Sequence, residues 1–220
     1  NVTEPLPPQT TTEPPLSHSE LTATVNRYLQ MYLGSHFYHN FTPILQSNEM
    51  SAQRNIISFE CTDVYQVEGI DFVSLIVRGQ AFLLHQIRKM VGFLVWAVST
   101  KQPEWIIHAA FLPNVRVRIH MVPGELLLLR TCHFDLFFQT KKTTVCAPLT
   151  YEQFADEMEK FKREKIMPRL IEMIKQGLFR NWLSDFETKF HDFDVLFDDS
   201  IKPAVDAMER EAAKRKERKW

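Results

Sequence analysis

An α+β fold is predicted for this chain: a mainly antiparallel sheet flanked by helices, with a helical extension at the C-terminal end. Two observations predict it. Periodic segments follow the order strand, strand, helix, helix, strand and then helices, which does not suit a repeating βαβ layout. Charge is also unevenly spread, for the last 71 residues hold 31 of the 53 charged side chains, as an appended helical layer with solvated faces would.

Residues 1–18 carry five prolines and a Thr10-Thr11-Thr12 run, and so read as a linker or insertion. Ser19 is placed as the cap of a first helix in which Leu21, Val25, Tyr28, Leu29 and Tyr32 recur at helical spacing and Gly34 is the stop. Arg54–Tyr65 and Phe72–Gly79 read as strands joined by the turn-rich segment 66–70. Phe82–Ser99 reads as a long helix, and Pro103–Leu112 as a shorter one with proline in its first turn. Leu126–Phe134 is apolar enough for a strand in mid-sheet. Thr150-x-x-Gln153 matches a capping box that opens a charged helix, interrupted at Pro168 and stopped at Gly177. The domain boundaries expected are therefore 1–18, 19–149 and 150–220.

Composition narrows the function classes. Apolar residues make up 45% of the chain and the formal charge is −1, so no global field draws a polyanion and any nucleic-acid contact must be local. Three widely spaced cysteines, with no Cys-x-x-Cys, argue against a disulfide framework or a zinc site and for a reducing compartment. The apolar run Met90–Val98 falls well short of the ~20 residues a membrane helix needs. No membrane, metal or cofactor is expected.

Two segments carry chemistry. Residues 79–92, Gly-Gln-Ala-Phe-Leu-Leu-His-Gln-Ile-Arg-Lys-Met-Val-Gly, place His85, Gln86, Arg88 and Lys89 where a plain core helix would be apolar. A guanidinium in such a setting calls for an anionic partner, and none stands nearby in sequence. Arg88 either snorkels to a surface acid or faces a cleft and holds a carboxylate or phosphate in its planar fork. His85, three residues earlier, shares its face, as a packed histidine or as part of the site.

Gly34-Ser-His-Phe-Tyr-His-Asn-Phe-Thr42 is the second segment. His36, His39, Asn40 and Phe41 suit stacking on bases and bonding to their edges; alternatively Phe37 and Phe41 plug the core while the polar groups satisfy backbone. His36-x-x-His39 has no third ligand within reach in sequence. The basic run Lys214–Lys219 reads as a phosphate contact or a solvated helix end.

Together these segments resemble the eukaryotic branch of the TruA-type tRNA pseudouridine synthases. The resemblance rests on Gly34–Thr42, Ser51-Ala-x-Arg54-x-Ile56, Glu68-Gly-Ile-Asp-Phe72, the 79–92 segment, Pro123-Gly124 and His133-Phe-Asp135. Glu157-x-x-x-Phe161-Lys-x-Glu-x-Ile166-x-Pro168 resembles the eukaryotic extension. The similarity covers roughly residues 19–190 and implies half of a pseudouridine-synthase catalytic domain, the carboxyl-terminal half.

That family flips a uridine out of its RNA, attacks it with an aspartate carboxylate, breaks the glycosidic bond and rejoins the base through carbon. The resemblance implies that Arg88 pairs with the aspartate, and that His36, His39, Asn40, Phe41, His85, Gln86, Glu125 and Leu126 face substrate. RNA, with tRNA foremost, is the implied partner, and the implied location is intracellular, nuclear or mitochondrial. The chain departs from the pattern twice. The aspartate's Arg-Thr-Asp-type motif is absent, so the N-terminal half must come in cis or from another chain, and this piece alone should not catalyse. Glu125 also stands where the family places a leucine against the target base, with Leu126 next. A catalytically silent RNA-binding or ribonucleoprotein component of the same fold is the alternative.

Overall fold

The computed structural model describes residues 16–47, 49–62, 64–134 and 151–190, with a few positions between 197 and 214. The Pro-rich start and nearly all of the basic run 214–219 lie outside the described residues.

Helix α1 (His18–Gln30) opens two residues earlier than Ser19 would have it. Ser17 is the cap, and it forms a reciprocal box with Glu20, each side chain bonding the other's backbone N–H. The expected apolar stripe is present, with Tyr28, Leu29 and Tyr32 buried. Gly34 does not terminate the helix; at φ +91° it opens β1 (Gly34–Phe37). A 3-10 turn, His39–Phe41, follows.

The sheet has the order β1-β2-β5, with β2 (Gln53–Cys61) antiparallel to both β1 and β5 (Leu75–Gly79). Between them, β3 (Tyr65–Val67) and β4 (Ile70–Phe72) form a separate hairpin. The turn expected at 66–70 is thus a two-stranded ribbon that ends the first strand at Cys61. Glu68 and Gly69, both at positive φ, make its tip.

Helix α2 spans Gln86–Ser99, not Phe82–Ser99. The lost turn has a local cause: His85 adopts φ 66°, a left-handed conformation that a helix interior does not tolerate. A short α3 (Ile106–Ala109) occupies the middle of the expected Pro103–Leu112 helix, and its flanks are single turns. The core lies where α1, α2 and α3 cover one face of the sheet. Tyr32, Phe41, Phe59, Phe93, Trp96 and Ile106 are almost wholly enclosed there. Each contributes roughly 1.5–3 kcal/mol of burial.

The strand expected at Leu126–Phe134 is a correction. Gly124–Leu126 is a 3-10 turn, and residues 127–134 join no ladder among the described residues. Leu126, Leu127, Leu128 and Leu129 are 42%, 50%, 55% and 78% exposed. Apolar sequence supplies the two faces of a mid-sheet strand but not its neighbours, and no described strand runs alongside to pair with it.

In the C-terminal layer, a 3-10 turn at Glu152–Phe154 leads into α4 (Ala155–Phe161). Thr150 of the expected capping box lies outside the described residues. A π-helical turn at Lys162–Ile166 absorbs the backbone ahead of Pro168, which stands in the first turn of α5 (Met167–Lys175) instead of breaking it. Gly177, at φ +94°, stops α5 as expected, and α6 (Arg180–Lys189) follows. Lys162 lies over the Tyr65 ring and Lys175 pairs with Glu68, so this layer leans on the β3–β4 ribbon. The mixed helices and antiparallel strands match the α+β expectation.

Candidate functional site

Arg88 stands in the first turn of α2, half-buried, beneath the extended segment 119–124. Its Nε–H donates to the Val122 carbonyl oxygen at 2.8 Å, and the Val122 N–H returns to the Arg88 carbonyl at 3.4 Å. Four residues along the same face, Gly92 meets His120 so closely that a Cβ there would lie 1.8 Å from the His120 carbonyl oxygen. The spacing is geometric, since four helical residues rise about 6.0 Å and two extended residues about 6.7 Å. Contacts at 88/122 and 92/120 therefore fall in step, and only glycine at 92 lets the segment lie this close.

The guanidinium also packs on Gly124. A Cβ at that position would stand 3.2 Å from Arg88 Cζ and 3.3 Å from one of its terminal nitrogens. With Nε engaged and one side against Gly124, the group is held in place while making no ion pair among the described residues. A guanidinium so fixed presents planar donors suited to a carboxylate.

The outer face of the 119–124 segment is clamped by α6. Trp182 donates its indole N–H to the Met121 carbonyl at 3.0 Å and stacks on His120, against which Phe190 stacks at 4.5 Å. Burial pushes the His120 imidazole below its usual pKa. Sequence reasoning missed this support. Its only trace was an aromatic spacing, Trp182, Phe186 and Phe190, on an otherwise charged helix.

The remaining expected residues divide in two. Glu125 and Leu126 are exposed on the turn that begins at Gly124, beside the Arg88 support, and His85 is half-buried at the N-cap of α2. The others point into protein. Gln86 is fully buried; its side-chain oxygen accepts from the Leu83 N–H at 2.8 Å and its amide reaches Met90 Sδ. His36 stacks on Phe111 at 4.3 Å, with Nε2 at 2.8 Å from the Leu33 carbonyl. Asn40 ties the 110–117 loop, donating to the Ala110 and Val115 carbonyls at 2.8 and 2.9 Å and accepting from the Val117 N–H at 3.1 Å.

His39 Nε2 lies 3.3 Å from the Val115 carbonyl, and burial lowers the His39 pKa. Phe41 is fully buried. Lys89 turns to the Asn40 carbonyl at 3.1 Å and is pushed below its ordinary pKa by burial. The 34–42 segment thus fastens the core around α2 through Phe41 and its bonded polar groups, while Phe37, expected to plug the core as well, is only partly buried and lies outside it. Tyr32 and Tyr38 are enclosed and donate to the Met90 and Tyr32 carbonyls, so neither phenol is free to meet a base.

The chain matches the model of the tRNA pseudouridine synthase family over residues 29–135. It is 34% identical over 154 residues to the pseudouridylate synthase 1 homolog of Homo sapiens, which takes in 70% of this chain and 36% of that protein. The Mus musculus homolog gives the same figures, 34% over 154 residues with 70% and 36% covered. tRNA pseudouridine synthase 2 of Schizosaccharomyces pombe is 30% identical over 175 residues, or 79% of this chain and 39% of that protein. The chain therefore spans somewhat over a third of the length of these curated relatives. By these matches, and by the motifs whose geometry is described above, the chain belongs to the TruA-type tRNA pseudouridine synthase family.

Proposed function

We propose that the protein isomerises uridine to pseudouridine in RNA, with tRNA as substrate, and that Arg88 fixes the carboxylate of the nucleophilic aspartate. The single observation behind this is the Arg88 arrangement: a half-buried guanidinium, tethered to Val122 and packed on Gly124, with no carboxylate partner among the described residues. A silent scaffold has no use for that arrangement.

The isomerisation moves atoms within one nucleotide, so it needs no cofactor. What it needs is an oriented carboxylate, and a planar two-point clamp orients better than a lysine point charge.

The aspartate belongs to a part of the fold that these 220 residues do not carry, because no Arg-Thr-Asp-type motif occurs in them. The exposed Leu127–Leu129 run supports this, as an apolar stretch just past the Gly124–Leu126 turn that joins no ladder among the described residues. The other part of the catalytic fold would come in cis or on another chain and pair with it. Glu125, Leu126 and His85 then stand nearest the target base, and an RNA substrate implies work inside the cell.

The test compares the full-length protein with the 220-residue chain on an unmodified tRNA transcript, reading pseudouridine by nucleoside mass spectrometry. Turnover by the full-length protein and none by the chain alone is expected. Absence of pseudouridine from both across a panel of cellular RNAs would return the scaffold reading.

A further inference from the structure

The Ser51–Ile56 motif has no part in the Arg88 arrangement, yet it builds a site of its own. Ser35, Gln53, Arg54, Asn55, Gln80 and Ala81 line a surface pocket of about 220 Å³. The β1–β2 register sets Ser35 opposite Asn55 and His36 opposite Arg54. From the other side of β2, the Gln80 N–H reaches the Asn55 carbonyl at 3.4 Å and brings in the turn after β5. Gly79 eases that close approach, for a Cβ there would lie 3.0 Å from the Phe82 ring and 3.1 Å from the Asn55 carbonyl oxygen, and a neighbour would have to give by a few tenths of an ångström.

The lining is one-sided in charge. It holds a guanidinium, a hydroxyl and three carboxamides, and no carboxylate, imidazole or thiolate that would favour a cation. One terminal nitrogen of Arg54 donates to the Ser51 and Gln53 carbonyls at 2.8 and 2.6 Å, which fixes the head group. Its Nε is enclosed and has no hydrogen-bond partner, and Arg54 forms no ion pair among the described residues. A fixed, uncompensated guanidinium among neutral donors matches a tetrahedral oxyanion.

We infer that this pocket binds a backbone phosphate of the RNA, as a positioning contact apart from the Arg88 site. This rests on the reading of the protein as RNA-binding. A phosphodiester fits the lining better than a base does, because only a half-exposed cation and small polar groups line the pocket, with no aromatic face for stacking.

The experiment measures binding of the full-length protein to a tRNA transcript by filter retention over a salt series, which needs no turnover. Arg54→Gln should weaken binding several-fold at low salt. It should also make the slope of log K against log salt shallower by about 0.7–0.9, one phosphate's worth. Arg54→Lys should keep the slope, since the charge stays. Should Arg54→Gln not fold, the double variant Ser35→Ala/Gln80→Ala decides, as it leaves the Arg54 tethers intact. It should weaken binding about threefold or more with the slope unchanged.

An unchanged slope in Arg54→Gln, or unchanged affinity in the double variant, overturns the inference. So does a thermal shift from inorganic phosphate that vanishes in Arg54→Gln while the RNA slope holds, which would mark a free-anion site. Failure of the catalytic reading is distinguishable: an Arg88 variant that binds RNA with the normal slope but forms no pseudouridine leaves the phosphate site standing.

Discussion

Arg88 and Val122 hold each other by two hydrogen bonds, side chain to carbonyl at 2.8 Å and amide to carbonyl at 3.4 Å. This pair joins the first turn of α2 to an extended segment with no strand partner of its own among the described residues 118–124. It makes the position of one guanidinium depend on three other places in the chain: Gly92, Gly124 and Trp182.

Gly124→Ala puts a methyl 3.2–3.4 Å from the guanidinium, so the group must shift by a few tenths of an ångström. Catalysis is sensitive to such shifts, and kcat in the full-length protein should fall about tenfold or more. The melting temperature should barely move, because Gly124 is only half-buried and not at positive φ. Steady-state kinetics with a parallel thermal melt checks this.

Gly92→Ala should act on folding instead. Its Cβ would overlap the His120 carbonyl at 1.8 Å, a backbone group that can yield only by lifting the whole 119–124 segment off α2. A loss of about 3 kcal/mol is expected, at the upper end of overpacking costs, read as a lower urea midpoint.

Trp182→Phe keeps the ring against His120 but removes the N–H that bonds the Met121 carbonyl. Stability should drop by about 1 kcal/mol. Because Met121 adjoins the Arg88 support, kcat should fall with KM for RNA unchanged; an altered KM alone would assign Trp182 to substrate contact.

Stability should also fall on acidification. His39, His108 and His120 all have pKa values lowered chiefly by burial, so the folded state binds fewer protons than the unfolded one below the usual histidine range. The stabilisation is complete above the unfolded value of 6.5 and is lost as pH drops from there through the lowered folded values. Urea midpoints should be flat between about pH 7.5 and 8.5 and decline below pH 6.5. Replacing His39 with Gln should reduce the decline.

Local pattern made much of this legible in the sequence. The α1 stripe, the long β2 and the Gly177 stop follow from periodicity and glycine conformation, and Arg88 stands out as a charge in an apolar run. What escaped depends on distant contacts. Leu126–Phe134 has strand composition but no described partner. The first turn of the expected 82–99 helix is lost at the left-handed His85. The polar side chains of 36–40 turn out to be bonded to residues such as Leu33, Ala110 and Val115, most of them some seventy positions away. No local rule reveals that Trp182 braces the segment over Arg88.

The most direct test is Arg88→Lys in the full-length protein, assayed for pseudouridine on a tRNA transcript with a thermal melt alongside. A lysine keeps the charge but loses the two-point fork and the Nε–H to Val122. Pseudouridine formation should vanish while the melt stays within a few degrees of wild type; turnover at the wild-type rate would contradict the role assigned to Arg88.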